Sequence, residues 1–552
     1  MRRILNLILP LTSKGKIVQY ILMGILSGLC GFLFINMVTR IVQLLIEGNL
    51  KSVSREYVLV FASIILLFIW TRRSLSVTII KLSQKLFWSL REQILAQVLK
   101  ASYQQLATRK SRIYSAIVND VNVLTNASLS IIEFSISSIV TVACFIFLAS
   151  ISSTLFLITL GTTLLGVAIY LIRSRKDDQN FETARNLEDN FIEHFNSVLD
   201  GFKEIFMEPK KGNYIYNKRI KIIATQAYQN NIKAFTGFLN SQITGQVLFY
   251  ILISAILLFF SIVLNIESSK TVNFIFILLY MLSSIETIMV LLPNIIRAKI
   301  SATRLIDLKT ELEEANFVNS IAEKRIGKDD FFEVAVQNIE FRYEGGNQSF
   351  GIGPIDLTIE KGETIFIYGG NGSGKTTLIN SILGLCKPTA GEIRLNGKRV
   401  DSDGYSHYRT AFSSVFSDFY LFSELIGPDH INIEKWEYYL KLFEIEDKVK
   451  IEGRHFSTTD LSTGQRKRLA LIAALLEEKP VVVLDEWAAD QDPYFRKKFY
   501  LEIIPLIKKE GTTVIAITHD DKYYHCADKL YKMDYGKLIL ESVNVYETSI
   551  TN

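Results

Sequence analysis

The sequence predicts an α-helical membrane domain of six spans followed by an α/β domain built around a glycine-rich loop. Three observations predict it. Apolar blocks recur from residue 17 to about 292, and beyond about 330 the composition becomes that of an ordinary soluble domain. Within that second part a strand-like run meets a glycine-rich turn and then a helical pattern, at "IFIYGGNGSGKTTLINSILG". With 552 residues there is material for several domains, and 49% hydrophobic against 21% charged residues is an average over two unlike halves.

The apolar blocks come first. Ile17 to Val38 carries no charge, and Tyr57 to Trp70 is shorter and meets Arg72 and Arg73. Ala127 to Ser150 carries only Glu133, Ile151 to Ile172 and Phe235 to Ile266 carry none, and Thr271 to Ile296 is interrupted only by Glu286. A spanning helix needs about 20 apolar residues, so six spans is the natural count. The first block is longer than a signal-peptide core and no small-residue cleavage site follows it, so a cleavable signal is not expected. The ionisable residues inside the blocks (Glu286, Glu133, Arg72 and Arg73) are candidates for a substrate cavity, although arginines at a span end also snorkel to the interface.

The loops set the orientation. Those between spans 2 and 3 (about 81–126) and spans 4 and 5 (about 173–234) are long and basic, as is the start of the chain. The positive-inside rule therefore puts both termini and both long loops in the cytoplasm. Both keep helical periodicity, as in "KLFWSLREQILAQVL" and "NLEDNFIEHFNSVL", so two helical excursions should project from the membrane. The expected division is a transmembrane domain over 1–296, a charged helical connector over 297–330 and a nucleotide-binding domain over 331–552. A net charge of +5 is too mild to argue for nucleic acid. The four cysteines are scattered without metal or redox spacing, which suits a reduced compartment.

The glycine-rich turn is a P-loop in its proper context, strand before and helix after. Gly369, Asn371, Gly372, Ser373 and Gly374 let backbone N–H groups close around phosphates, and Lys375, Thr376 and Thr377 open the helix whose dipole assists. Lys375 is placed to reach the β- and γ-phosphates of ATP, and the Thr376 hydroxyl to hold Mg²⁺. Further on, "VVVLDEWAADQDP" runs four apolar residues into Asp485 and Glu486. A strand ending so beside a P-loop suits a metal-organising carboxylate followed by a base that polarises water. Between them "LSTGQRKRLALIAALL" is a polar turn opening an amphipathic helix, which alone would read as a capped helix.

P-loop, LSGGQ-like turn, Asp-Glu and then "AITHD", in that order and after six spans, resemble an ABC exporter half-transporter over the whole chain. The resemblance implies an ATPase acting as a homodimer in a bacterial cytoplasmic membrane, each site completed by the partner copy. It implies that Ser462, Gly464 and Gln465 contact the partner's ATP, that His519 senses the γ-phosphate, that Tyr343 stacks on adenine and that Asp492 works across the dimer. Where such exporters have a glutamine, this chain reads "SSVFSDFYLF", leaving Ser417 or Asp418 as the substitute at the metal. "VFSDFYLF", "LSTGQRKRLAL", "LDEWAADQDPYFRKKFY" and "THDDKYY" together resemble the bacterial cyclic peptide exporter family, and Trp487 and Asp490 are assigned by that resemblance alone. The implied cargo is a cyclic or modified peptide, a microcin or a peptide siderophore precursor, with the loops near 103–112 and 206–216 transmitting closure. The rivals are a lipid or lipid-linked glycan flippase and, from another class, an ATP-dependent membrane sensor. An importer is disfavoured by the fusion of spans and cassette, and a leader-cleaving exporter by the short stretch before span 1.

Overall fold

The computed structural model describes residues 14–46, 55–313, 325–342, 350–427 and 431–541. They fall into two compact units, Met1–Val98 with Arg109–Glu313 and Leu99–Thr108 with Glu314–Asn552. Along the chain come α1 (Lys14–Ile46), α2 (Arg55–Lys100) and α3 (Tyr103–Ser115), then a π-helical segment Ala116–Asp120 leading into α4 (Val121–Ile151). There follow α5 (Ser153–Asp200), α6 (Phe202–Met207), α7 (Pro209–Ile215), α8 (Lys221–Ala255) and α9 (Ser268–Glu313).

Six of these helical runs are long and apolar enough to cross a membrane, in agreement with the six blocks. Their length exceeds what crossing needs. The block Tyr57–Trp70 is the start of a 46-residue helix, which at about 1.5 Å per residue reaches roughly 70 Å against a hydrocarbon core of about 30 Å. The surplus accounts for the helical periodicity of the long loops. Likewise α9 continues through Pro293 to Glu313, so the segment after residue 296 begins as an unbroken extension of the last span; residues 314–324 lie outside the described residues. Spans 3 and 4 are joined by Ser152 alone, whose hydroxyl caps α5 by accepting from the Leu155 N–H.

Inside the first unit α4 lies along α9 and α5 along α8. Leu75, Val140, Cys144, Phe274, Leu278 and Met281 form part of its buried core, whereas Ile146, Leu258 and Ile172 are at least 70% exposed. Such an apolar exterior suits hydrocarbon rather than water.

The second unit carries β1 (Glu333–Arg342), β2 (Gly351–Glu360), β3 (Thr364–Tyr368), α10 (Lys375–Ile382), β4 (Ala390–Leu395), β5 (Lys398–Arg399), β6 (Phe412–Val415) and α11 (Ile433–Leu442). A short hairpin β7–β8 (Ile451–Glu452, His455–Phe456) precedes α12 (Thr463–Leu476), β9 (Val481–Asp485), α13 (Pro493–Lys498), β10 (Thr513–Ile517), β11 (Lys529–Asp534) and β12 (Lys537–Glu541). An antiparallel sheet runs β2-β1-β4-β5, and a second sheet runs β12-β11-β3-β10-β9-β6 with only β12 antiparallel. Every residue of β9 and β10 is buried. Central parallel strands are covered on both faces, which is why "VVVL" shows no polar alternation. Register pairs Ile517 of β10 with Asp485 and with Ile367 of β3. The P-loop, the Asp-Glu pair and Thr518–His519 therefore leave the sheet at one carboxyl edge, where open α/β sheets bind ligands.

Candidate active site

The P-loop spans the gap between β3 and α10. Gly369 has φ +156° and a Cβ there would fall 2.2 Å from the Met533 carbonyl oxygen, so no other residue fits. Gly374, at φ +110°, similarly abuts Ile352. Lys375 is buried, and its amine donates to the carbonyls of Gly369 at 2.9 Å and Gly370 at 3.1 Å, which holds it over the loop. The Ser373 hydroxyl is buried without a hydrogen-bond partner among the described residues. A buried orphan hydroxyl in a glycine-rich loop just before a helix N-terminus is an arrangement a phosphate satisfies. Asn371, Gly372 and Thr376 are exposed on the loop and Thr377 is turned inward.

The acids after β9 divide by what they touch. Asp485 is buried and accepts from the Ser417 hydroxyl at 3.2 Å. Burial pushes its carboxyl above the usual range, partly opposed by that hydroxyl. Of the two substitutes considered for the missing glutamine, Ser417 is the one bonded to Asp485, while Asp418 contributes only a nearby charge. Glu486 adopts the left-handed conformation, φ +49° and ψ +38°, a strain of roughly 1–3 kcal/mol typical of functional positions. Its N–H donates to the Ile517 carbonyl at 3.1 Å and its carboxylate lies 3.3 Å from His519 Nε2. The two residues expected to act as base and switch histidine are thus brought together.

Asp490 pairs with the amine of Lys467 at 2.6 Å. Asp492 caps α13, accepting from the Phe495 N–H at 2.9 Å, and pairs with Arg468 at 2.9 Å. The Phe495 amide, with Arg468 adding to it, holds the Asp492 carboxyl below the usual range. Trp487 is 1% exposed. Its indole N–H donates to the Lys467 carbonyl at 2.8 Å and its ring lies 4.4 Å from that of Phe499, with Phe443 and Phe495 alongside. The tryptophan is therefore a packing anchor placed directly after Glu486.

The turn before α12 is built to match. Ser462 caps that helix and Gln465 reaches back to the Ser462 N–H, a complete capping box. The carbonyl of Gly464 accepts from the Gln491 amide at 3.1 Å, and a Cβ on Gly464 would come within 2.8 Å of the Asp490 carbonyl. Lys467, Arg468 and Gln491 were not anticipated from sequence. Lys467 stands four residues before Leu471 and seven before Ala474, both buried, so its place on the buried face was readable from helical spacing. Tyr343 lies outside the described residues.

In the membrane unit Arg72 and Glu133 meet at 3.7 Å, Arg73 is exposed, and half-buried Glu286 accepts from Gln246 at 2.7 Å. An unanticipated cluster gathers around buried Asp120, which takes Arg185 at 3.1 Å and the Ser301 hydroxyl at 2.9 Å. Beside it lies a cavity of about 410 Å³ lined by Asn119, Asn122, Phe181, Arg185, Glu188 and Arg297 among others.

The ABC transporter family profile matches residues 352–489. Over 536 residues the chain is 31% identical to ATP-binding protein SyrD of Pseudomonas syringae pv. syringae, covering 94% of this chain and 93% of that one. It is 32% identical over 220 residues to the beta-(1→2)glucan export ATP-binding/permease protein NdvA of Bartonella bacilliformis, 37% of this chain and 36% of that one. A bacterial Atm1-family ABC exporter solved with ATP bound superposes with a TM-score of 0.78 at 14% identity, covering 100% of this chain and 98% of that one. Six membrane-crossing helices followed by this cassette, shared along nearly the full length of SyrD, place the chain in the ABC transporter family as an exporter-type half-transporter whose cassette is an ATPase.

Proposed function

We propose that this transporter exports a peptide-type substrate, a cyclic or modified peptide, a microcin or a peptide siderophore precursor, across a bacterial cytoplasmic membrane. The reading is carried by the stretches resembling the cyclic peptide exporter family, "VFSDFYLF" and "LDEWAADQDPYFRKKFY" above all, together with full-length likeness to SyrD. The 220-residue likeness to NdvA is too short to include both spans and cassette, so it lends little to a glucan cargo. The cavity beside Asp120 supports the peptide reading, because it mixes guanidinium, carboxylate, amide and phenyl groups.

In this reading two copies pair, with termini and long loops in the cytoplasm. Ser373, Lys375 and the loop amides bind the phosphates of ATP, and Ser462, Gly464 and Gln465 face the ATP held by the other copy. The hydroxyls of Thr376 and Ser417 with the carboxylate of Asp485 are hard oxygen donors, a set that suits Mg²⁺. Bound there, Mg²⁺ would neutralise charge developing on the transferred phosphoryl group. Glu486 orients the attacking water and accepts its proton, and His519 holds the Glu486 carboxylate in place. Asp492 caps α13 beside the copy-to-copy seam. Arg72, Glu133, Glu286 and Arg73 contribute polar groups within the spans.

The test is ATP-dependent uptake into inside-out proteoliposomes, comparing cyclic and lasso peptides, a β-(1→2) glucan and a short-chain fluorescent lipid. Accumulation of a peptide class, absent with Glu486→Gln, is the expected outcome. Transport of glucan or lipid alone would overturn the peptide assignment.

A further inference from the structure

We propose that Lys467 is a positioning residue for hydrolysis, tying the loop that carries the base to the helix that carries the signature turn. Lys467 sits one turn into α12, 3% exposed. Its amine donates at 2.9 Å to the backbone carbonyl of Glu486 and pairs at 2.6 Å with Asp490. A cation so buried persists only where its donors are satisfied, and here both acceptors belong to one five-residue stretch.

What the amine holds is a strained backbone. Glu486 is left-handed without being glycine, a conformation that persists only when its surroundings over-determine it. Its N–H is fixed by β10 through Ile517 and its carbonyl by Lys467. The two bonds grip the residue from both sides and aim the carboxylate at His519.

The link has a second end. Lys467 lies on the helix capped by Ser462, and its own carbonyl accepts from the Trp487 indole. Arg468 donates to the Gln491 side chain at 2.9 Å, and the Gln491 amide returns to the Gly464 carbonyl at 3.1 Å. Signature turn and base loop are therefore cross-braced at Gly464, Lys467 and Arg468. Given the roles proposed above, seating of the signature turn on one nucleotide and placement of the base at the other are mechanically one event. Lys467 is the part of the brace that touches the base's own backbone.

The test compares Lys467→Met, Lys467→Gln and Asp490→Asn with wild type and Glu486→Gln, all as full-length protein in lipid nanodiscs, by steady-state ATPase kinetics. Methionine keeps the length and burial but donates nothing, whereas glutamine keeps a donor for the carbonyl. Misplacing a catalytic group by about 1 Å can cost on the order of 100-fold. Lys467→Met should therefore lose ~10–100-fold in kcat with KM for ATP within about 3-fold, since the P-loop is untouched. Lys467→Gln should recover most of that loss and Asp490→Asn should stay within ~3-fold of wild type, because each keeps a bond to the Glu486 carbonyl. Wild-type kcat in Lys467→Met would overturn the proposal. So would equal losses in the methionine and glutamine variants, which would make the lysine merely structural. Undiminished turnover in Glu486→Gln would instead refute the base assignment beneath it.

Discussion

Replacing Trp487 with alanine should destabilise the cassette by about 4–6 kcal/mol, and the structure says how that divides. The side chain is 1% exposed and packs on Phe499 with ring centres 4.4 Å apart. Emptying such a site costs about 3–5 kcal/mol when the walls cannot collapse. The indole also donates to the Lys467 carbonyl at 2.8 Å. That carbonyl sits inside α12 and keeps a helical acceptor role, so losing the donor adds only about 1 kcal/mol. Trp487→Phe retains the ring against Phe499 and should cost about 1–2 kcal/mol. In a unit of this size 1 kcal/mol moves Tm by roughly 2–4 °C, giving a fall of about 10–20 °C for alanine and about 3–6 °C for phenylalanine. Differential scanning calorimetry of the full chain in nanodiscs, following the cassette transition, measures both. A fall below about 4 °C for alanine, or equal falls for the two variants, would refute the account of Trp487 as a packing anchor.

Other outcomes follow from individual contacts. Ser417→Ala should raise the Mg²⁺ concentration for half-maximal ATPase by ~3–10-fold, since Asp485 loses the hydroxyl donor at 3.2 Å; a shift in Asp418→Asn but not in Ser417→Ala would transfer the role. Asp492→Ala should cost about 1 kcal/mol through the lost cap of α13, while Asp492→Asn, an equally good cap, should cost a few tenths. The Asp492 carboxyl is held below the usual value near 3.9. Its stabilising contribution is therefore complete above that value and is lost as pH falls through the lower folded one. The difference in Tm between wild type and Asp492→Asn should be small and constant from about pH 5 to about pH 8 and should change only below about pH 4. Glu286→Gln should preserve the link to Gln246, now 2.7 Å long, and leave basal ATPase within ~2-fold, whereas Glu286→Leu strands the amide and should alter peptide stimulation. Stimulation curves for the two variants that superpose would remove Glu286 from the transport path.

The sequence carried the signals that are local. Span count, β3 and the P-loop follow from apolar length and from glycines at fixed offsets, and the structure puts β3 at the residues the apolar run indicated. That Glu486 and His519 reach one edge was legible through motif order, because parallel strands deliver their βα turns to one side of the sheet; their direct contact at 3.3 Å was not. The partners of the acids were not legible. Whether Asp490 meets Lys467 or solvent depends on how a helix lies over a loop that follows it in the chain, which no periodicity records. The buried position of Lys467 was readable from its spacing to Leu471, but a lysine invites assignment to the solvent face. Helix extent was legible only outside the apolar blocks: α2 and α9 run far past them, and the helical spacing in "KLFWSLREQILAQVL" and after residue 296 signalled it, because beyond the bilayer the helix continues on amphipathic rather than uniformly apolar residues. The Asp120 cluster combines residues from the π-helical segment, α5 and α9, and only the tertiary fold brings them together.

The central claim is that this chain is a peptide-stimulated pump whose turnover depends on Glu486. It is tested most directly by ATPase activity of wild type and Glu486→Gln in lipid nanodiscs, each titrated with cyclic and lasso peptides, siderophore precursors and lipid. The account predicts basal turnover in wild type, stimulation by one peptide class, and loss of both in Glu486→Gln by at least ~100-fold. Stimulation by lipid alone, or turnover that survives in Glu486→Gln, would contradict it.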